Sequence, residues 1–144
     1  MISTKGRYAL RLMIDIATYS NGTPVTLKDV SSRQNISIKY LEQVVSLLTK
    51  GQLLVSVRGN NGGYILSRRV ESYTAYDILS VAEGTLAPIS CLQTEVNLCP
   101  RVEDCSTIDF WKGYYDVIKD YTKGVSLLDL VEKEKERNGF DYSI

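Results

Sequence analysis

The chain contains no histidine, so histidine-based proton transfer, Ser-His-Asp hydrolysis and histidine metal sites are all excluded. No G-x-S-x-G, P-loop or G-x-G-x-x-G pattern occurs, and the acidic pairs fall on exposed helical faces. An enzyme is therefore not expected. No run of eighteen apolar residues exists, which argues against a membrane-spanning helix. The N-terminus, MISTKGRYALRLMIDIA, is basic and then apolar in the manner of a secretory leader. Arg11 and Asp15 interrupt the apolar run, and no small-residue cleavage site follows. A cytoplasmic protein is expected. Internal repeats and low-complexity stretches are missing too. Cysteine is scarce, at three residues. That odd number speaks against a closed disulfide framework. All three fall within CLQTEVNLCPRVEDC, between Cys91 and Cys105.

Net charge is also absent, which at first disfavours a polyanionic partner. The zero hides an asymmetry. Residues 1–73 carry ten Lys and Arg against four Asp and Glu, a net +6, and residues 74–144 carry seven against thirteen, a net −6. A basic half can bind nucleic acid if the acidic half stays more than a Debye length away, about 8 Å at physiological salt.

Within the basic half, Ala9, Leu12, Met13, Ile16 and Ala17 recur at helical spacing after a capping Ser3 or Thr4. Thr26 caps a short second helix. Ser37 caps a third, whose Leu41, Val44, Val45 and Leu48 share one face before Gly51 stops it. Two β-rich runs, LLVSV and YILS, flank RGNNGG, a hairpin tip of residues that tolerate positive φ. Three helices and a hairpin predict a mainly α chain: a winged helix-turn-helix over residues 1–73 with a β-hairpin wing. In residues 74–144, Thr74 and Asp77 open a fourth helix that Gly84 ends. The cysteine loop follows, then a long aromatic helix with Ile108, Trp111, Tyr115, Ile118 and Thr122 along one stripe and Tyr114 and Tyr121 beside it, then a charged last helix. A long helix with so little chain to bury against predicts a dimerisation helix and a homodimer.

In this architecture the N-terminal residues of the third helix enter the major groove. Those are Ser37, Lys39, Tyr40 and Gln43: Lys39 suits phosphate or guanine, Gln43 adenine, Ser37 and Tyr40 phosphates. Arg58, with Asn60, Asn61 and Gly62, forms a wing tip able to approach the sugar-phosphate surface. Lys5, Arg7, Arg11 and Lys28 add phosphate contacts. Each alone reads equally well as an ordinary solvated residue, and Tyr40 as a packing one. Their joint placement on one surface predicts a double-stranded DNA partner.

The three blocks STKGRYALRLMIDIA, LKDVSSRQNISIKYLEQVVSLL and SVRGNNGGYIL resemble the Rrf-two family of bacterial winged-helix transcriptional regulators, most closely its branch of iron–sulfur cluster regulators. The resemblance covers nearly the whole chain. It implies a homodimer on a roughly palindromic operator, with a long helix crossing between subunits. It also implies that Cys91, Cys99 and Cys105 are cluster ligands, with a 2Fe–2S cluster favoured over 4Fe–4S. Thiolates are the usual ligands of such clusters. The place of the branch's fourth ligand, a histidine, is Ile108 here. Glu103, Asp104, Ser106, Asp109, a small thiol or water are the candidates to replace it. Zinc, a reversible disulfide and inert thiols remain alternatives for the loop. The family also has a cluster-free branch that regulates cysteine and sulfur metabolism, which the C-terminal FDYSI distantly resembles. An enzyme of iron–sulfur assembly or sulfur metabolism is the protein partner the resemblance allows. The functional expectation is a regulator sensing iron–sulfur status, redox state or nitric oxide, or alternatively a cluster-free regulator controlled by a partner or by thiol redox.

Overall fold

The computed structural model describes residues 1–142, with side chains through Gly139. Of the FDYSI stretch, only helical backbone as far as Tyr142 lies within the described residues. The chain runs α1 (Thr4–Tyr19), α2 (Leu27–Gln34), α3 (Ile38–Lys50), β1 (Leu54–Val57), β2 (Gly63–Leu66), α4 (Ala75–Glu83), α5 (Ile108–Lys123) and α6 (Leu127–Tyr142). The first three helices and the antiparallel hairpin form the expected winged helix-turn-helix.

Local chemistry sets the boundaries. The side chains of Ser3, Thr26 and Ser37 accept backbone N–H bonds at the starts of α1, α2 and α3, supplying partners for otherwise orphaned donors. Between α2 and α3 the turn passes through Asn35 at φ 54°, a left-handed conformation asparagine tolerates. Thr74 and Asp77 bond reciprocally at the start of α4, as the sequence predicts. In the hairpin Leu54 pairs with Leu66 and Val57 with Gly63. Val25 adds a short third rung by exchanging both backbone bonds with Tyr64, at 3.0 and 2.8 Å. Gly63 makes that rung fit. At φ +154°, a Cβ there would lie 2.5 Å from the Val25 carbonyl oxygen.

A single core crosses from the basic half into the acidic half. Leu12, Met13 and Ile16 of α1 and Leu41, Val44 and Leu48 of α3 cluster with Ile78 and Ala82 of α4 and Leu127 and Val131 of α6. Helices α4 and α6 are thus packed onto the reading unit. Tyr73, fully buried at the junction, donates to the Leu53 carbonyl at 2.8 Å and accepts from the backbone N–H groups of Ser67 and Arg68.

Asp15, the charge that interrupts the apolar run of α1, does not lie on the surface. Its side chain is fully buried, and Arg33 of α2 meets it in a two-pronged bond at 3.0 and 2.7 Å, while Gln34 donates at 3.0 Å. Arg33 also lies over the Tyr19 ring, 3.9 Å from its centroid. The network locks α2 to α1 and so fixes where α3 begins. Arg33→Ala would strand a buried carboxylate on Gln34 alone. The expected loss is about 3–5 kcal/mol of folding stability, read by urea unfolding. Arg33→Lys should fall between, because an ammonium cannot reproduce the fork. A loss below about 1 kcal/mol for the alanine variant would show that the pair does not hold these helices.

Candidate DNA-reading surface and cysteine loop

The buried stripe of α3, Leu41, Val44, Val45 and Leu48, faces the core and turns Lys39, Glu42, Gln43 and Ser46 to solvent. Lys39 and Gln43 are both exposed, one turn apart. Ser37 is exposed, but its oxygen accepts from the Tyr40 N–H at 3.2 Å, so only its proton is free for a phosphate. Tyr40 is half-buried and packs edge-to-face on Tyr8 of α1, with centroids 5.2 Å apart. Arg58, Asn60 and Asn61 are exposed at the wing tip, with Gly62 half-buried behind them. Gly59, at φ +112°, turns the tip. Lys5, Arg7 and Lys28 are exposed on α1 and α2. Arg11 differs from its expected role. Its guanidinium donates to the Gln34 side chain at 3.2 Å and to the Gln34 carbonyl, and it flanks the Tyr8 ring at 5.4 Å. It ties α1 to α2 rather than reaching freely for phosphate.

Glu42 is a residue that the sequence pattern alone does not single out. It is exposed beside Gln43 and lines a groove with Ser46 of α3 and Ser56 and Tyr64 of the hairpin. A carboxylate there repels phosphate and can accept from a cytosine amino group. Its i+3 spacing from Lys39 is the signal available in the sequence.

The cysteine loop runs from the end of α4 to the start of α5, with one short turn of 3-10 helix at Ser90–Leu92. All three thiols are free and half-buried. The Cys91 thiol is pushed up from its ordinary pKa, first by its side-chain hydrogen bond with Cys99 and further by the charges of Cys99 and Cys105. All three thiols thus belong to one loop, and Cys91 feels the other two. The Cys105 thiol is pulled down, chiefly by hydrogen bonding to the Thr107 hydroxyl, 3.6 Å from Sγ, then by the Thr107 and Ile108 backbone N–H groups and Arg101. Those N–H groups are the exposed positive end of α5, which favours a thiolate.

Among the described residues, no three Cys, Asp or Glu side chains are arranged to hold a metal ion. A single zinc ion thus finds no ready site. Asn97 adds a second observation. Its Oδ1 accepts from the Cys99 N–H at 3.0 Å, while its buried Nδ2 has no partner. Three thiols and a spare N–H donor in one loop are donor types that an iron–sulfur cluster can use.

On α5 the expected stripe of Ile108, Trp111, Tyr115, Ile118 and Thr122 is buried or half-buried against the chain itself. The helix has a second apolar face. Phe110, Tyr114, Val117 and Tyr121 are 63%, 49%, 68% and 71% exposed, at the 4-3-4 spacing of an unpartnered helical seam. Beside it opens a groove of about 740 Å³ lined by Ile2, Leu79, Leu86, Phe110 and Trp111 among others. No helix among the described residues is long and apolar enough to cross a membrane.

Comparison with known proteins agrees with this architecture. The sequence model of the Rrf2 family, described as an iron-dependent transcriptional regulator, matches residues 2–133. The HTH-type transcriptional regulator IscR of Pectobacterium atrosepticum is 35% identical over 97% of this chain and 84% of its own. Protein rrf2 of Nitratidesulfovibrio vulgaris is 34% identical over 84% of this chain and 83% of its own. The structure of CymR, the global cysteine regulator of B. subtilis, superposes with a TM-score of 0.75 at 34% identity, covering 92% of this chain and 97% of that one. T. potens IscR superposes at 0.74 with 31% identity, covering 95% and 90%. The named relatives are regulators, not enzymes. From α1 into α6, this chain belongs to the Rrf2 family of transcriptional regulators.

Proposed function

We propose that the protein is a homodimeric, DNA-binding transcription factor of the bacterial cytoplasm whose affinity for its operator follows the state of the cysteine loop. The observation that supports this reading is that Cys91, Cys99 and Cys105, all free and half-buried, share the one loop that leads into α5, the helix whose outer face is exposed. Lys39, Gln43 and Arg58 contact the duplex, with Glu42 restricting which bases are accepted and Lys5, Arg7 and Lys28 neutralising phosphates. Two copies pair through α5, which sets the separation of the recognition helices and hence the half-site spacing.

Cys91, Cys99 and Cys105 would hold an iron–sulfur cluster, with 2Fe–2S favoured. Such a cluster supplies a centre reactive toward oxidants and nitric oxide. The chain's own part is to present three thiols from one loop, lower the pKa of Cys105 at the start of α5 and place Asn97 beside Cys99. The fourth ligand comes from Glu103, Asp104, Ser106, Asp109 or a small molecule. The test is an absorption spectrum of protein purified without oxygen and reconstituted with ferrous iron and sulfide. A brown protein with visible bands, lost in the triple Cys→Ser variant, is expected. A colourless, iron-free protein sinks the cluster reading.

A second reading needs only the thiols themselves. Cys91 and Cys99 are free, half-buried thiols of one loop. A regulator that switches by oxidising this pair, or by docking a sulfur-metabolism enzyme, needs no iron. It predicts a colourless protein whose operator affinity still responds to thiol oxidation.

A further inference from the structure

We infer that Glu83 is a positioning residue that couples the cysteine loop to the DNA-reading unit, by gripping the first turn of α1 from the last residue of α4. This inference rests on the proposal that the loop is the switch. A single oxygen, Glu83 Oε1, accepts three hydrogen bonds: from the Ser3 N–H at 2.8 Å, the Ser3 hydroxyl at 2.7 Å and the Gly6 N–H at 3.0 Å. Two of these donors are backbone groups at the start of α1, where a helix has donors to spare and a partial positive charge. The bonds join residues 77 to 80 positions apart in sequence. They run between the two halves of the chain.

The fit is tight. A Cβ at Gly6 would lie 2.5 Å from Glu83 Oε1 and 2.9 Å from Ile2 Cγ2. Glycine at position 6 therefore admits the carboxylate, although it costs helix propensity relative to alanine. That cost in a buried first turn marks close approach as the reason for glycine.

Glu83 stands where a loop movement would reach the reading helix. On its C-terminal side, Gly84 at φ +86° breaks α4 and releases the chain toward Cys91, eight positions after Glu83. Ile2, against Gly6, lines the groove beside α5 together with Leu86 and Trp111. On the far side, α1 continues from Gly6 to Tyr8, whose ring packs on Tyr40 in the first turn of α3. One turn further on, Arg11 holds Gln34 at the end of α2. Pulling or releasing the start of α1 thus acts on both helices of the DNA-reading motif. A signal from the loop has a short route: the end of α4, the Glu83 carboxylate, the first turn of α1, Tyr8 and Tyr40.

The test compares operator affinity between loop states, using a duplex selected by the wild-type protein from a random pool. Reduced, cluster-free protein is compared with protein reconstituted with ferrous iron and sulfide, and separately with protein whose thiols are capped by iodoacetamide. Wild type is expected to differ about tenfold or more between states, a usual size for coupling between sites. In Glu83→Ala that ratio should fall to about twofold or less, while visible absorption after reconstitution and far-ultraviolet circular dichroism stay as in wild type. Glu83→Gln keeps an acceptor oxygen without the charge and should fall between. Should Glu83→Ala fold poorly, the Gly6→Ala/Glu83→Ala double variant restores helix propensity in space the carboxylate has left, and it should be uncoupled too. A wild-type ratio in folded Glu83 variants overturns the inference, as does a wild-type protein whose affinity is the same in every loop state. A colourless reconstituted protein sinks the cluster reading alone; the iodoacetamide comparison, which needs no iron, then decides the role of Glu83.

Discussion

Val117→Asp/Tyr121→Asp is expected to yield a folded monomer whose operator affinity is lower by two to four orders of magnitude. The reason is the outer face of α5. Phe110, Tyr114, Val117 and Tyr121 lie mostly in water, while the opposite stripe of the same helix packs on α4 and the loop. Full burial of such side chains is worth about 1.5–3 kcal/mol each. Four on each of two copies give roughly 12–24 kcal/mol, before subtracting the area already covered. Association costs about 4–15 kcal/mol, so this seam suffices to close a dimer. Two carboxylates in it would have to be buried unpaired, which exceeds what the remaining aromatics return. Because both positions point outward, the variant's own folding stability should change by no more than about 1 kcal/mol. A monomer forgoes the second half-site, and with it an affinity gain of about 10²–10⁴ from effective concentration. Sedimentation velocity with a gel shift on the selected duplex checks both halves. A variant that stays dimeric shows that the copies pair elsewhere. A monomeric wild type that binds its operator tightly rules out the seam as the dimer interface.

The same helix shows what is legible in the sequence and what is not. The inner stripe from Ile108 to Thr122 is readable from periodicity, as are the α3 core face, the Thr74–Asp77 cap and the hairpin around Gly59. All of these are short-range: a cap and its donor lie within a turn, and apolar positions repeat at 3.6. Phe110 and Val117 are equally periodic, yet a helix apolar on two faces reads as one thick stripe until packing shows which face is covered. Contacts between distant residues leave no such trace. Asp15 reads only as a charge interrupting an apolar run, because nothing nearby announces that Arg33 and Gln34 will enclose it. Glu83 closes α4 in the sequence like any helix-end acid, and its hold on Ser3 exists only in three dimensions. The cysteine loop lies between these cases. Clustering in sequence suggests a shared centre, and the fold adds the start of α5 at Cys105, whose Sγ lies 3.6 Å from the Thr107 hydroxyl.

The reading face makes the other large prediction. Gln43→Ala and Lys39→Ala should each cost about 1–3 kcal/mol per half-site, and the symmetric dimer bears that cost twice, so affinity falls roughly 30-fold to 10⁴-fold. The two effects should differ in kind. If Gln43 reads a base edge, its removal flattens discrimination at one position of each half-site and leaves the salt dependence alone. If Lys39 meets phosphate, its removal weakens all sequences alike and makes the slope of log K against log salt shallower by about 1 for each phosphate no longer neutralised. With about six phosphates neutralised, the wild-type slope should be near −5. Glu42→Ala works in the opposite direction. Removing a carboxylate from the groove between α3 and the hairpin should raise affinity for unrelated duplexes, because repulsion from phosphate disappears while Lys39 and Arg58 remain. Arg58→Ala should alter preference at a separate position, since it sits on the wing and not on α3. Titrations of all four variants on matched and mismatched duplexes at several salt concentrations separate these effects. Unchanged affinity in Gln43→Ala, Lys39→Ala and Arg58→Ala together would mean that DNA meets another face, because no winged helix can give up both its reading helix and its wing and still grip the duplex this way.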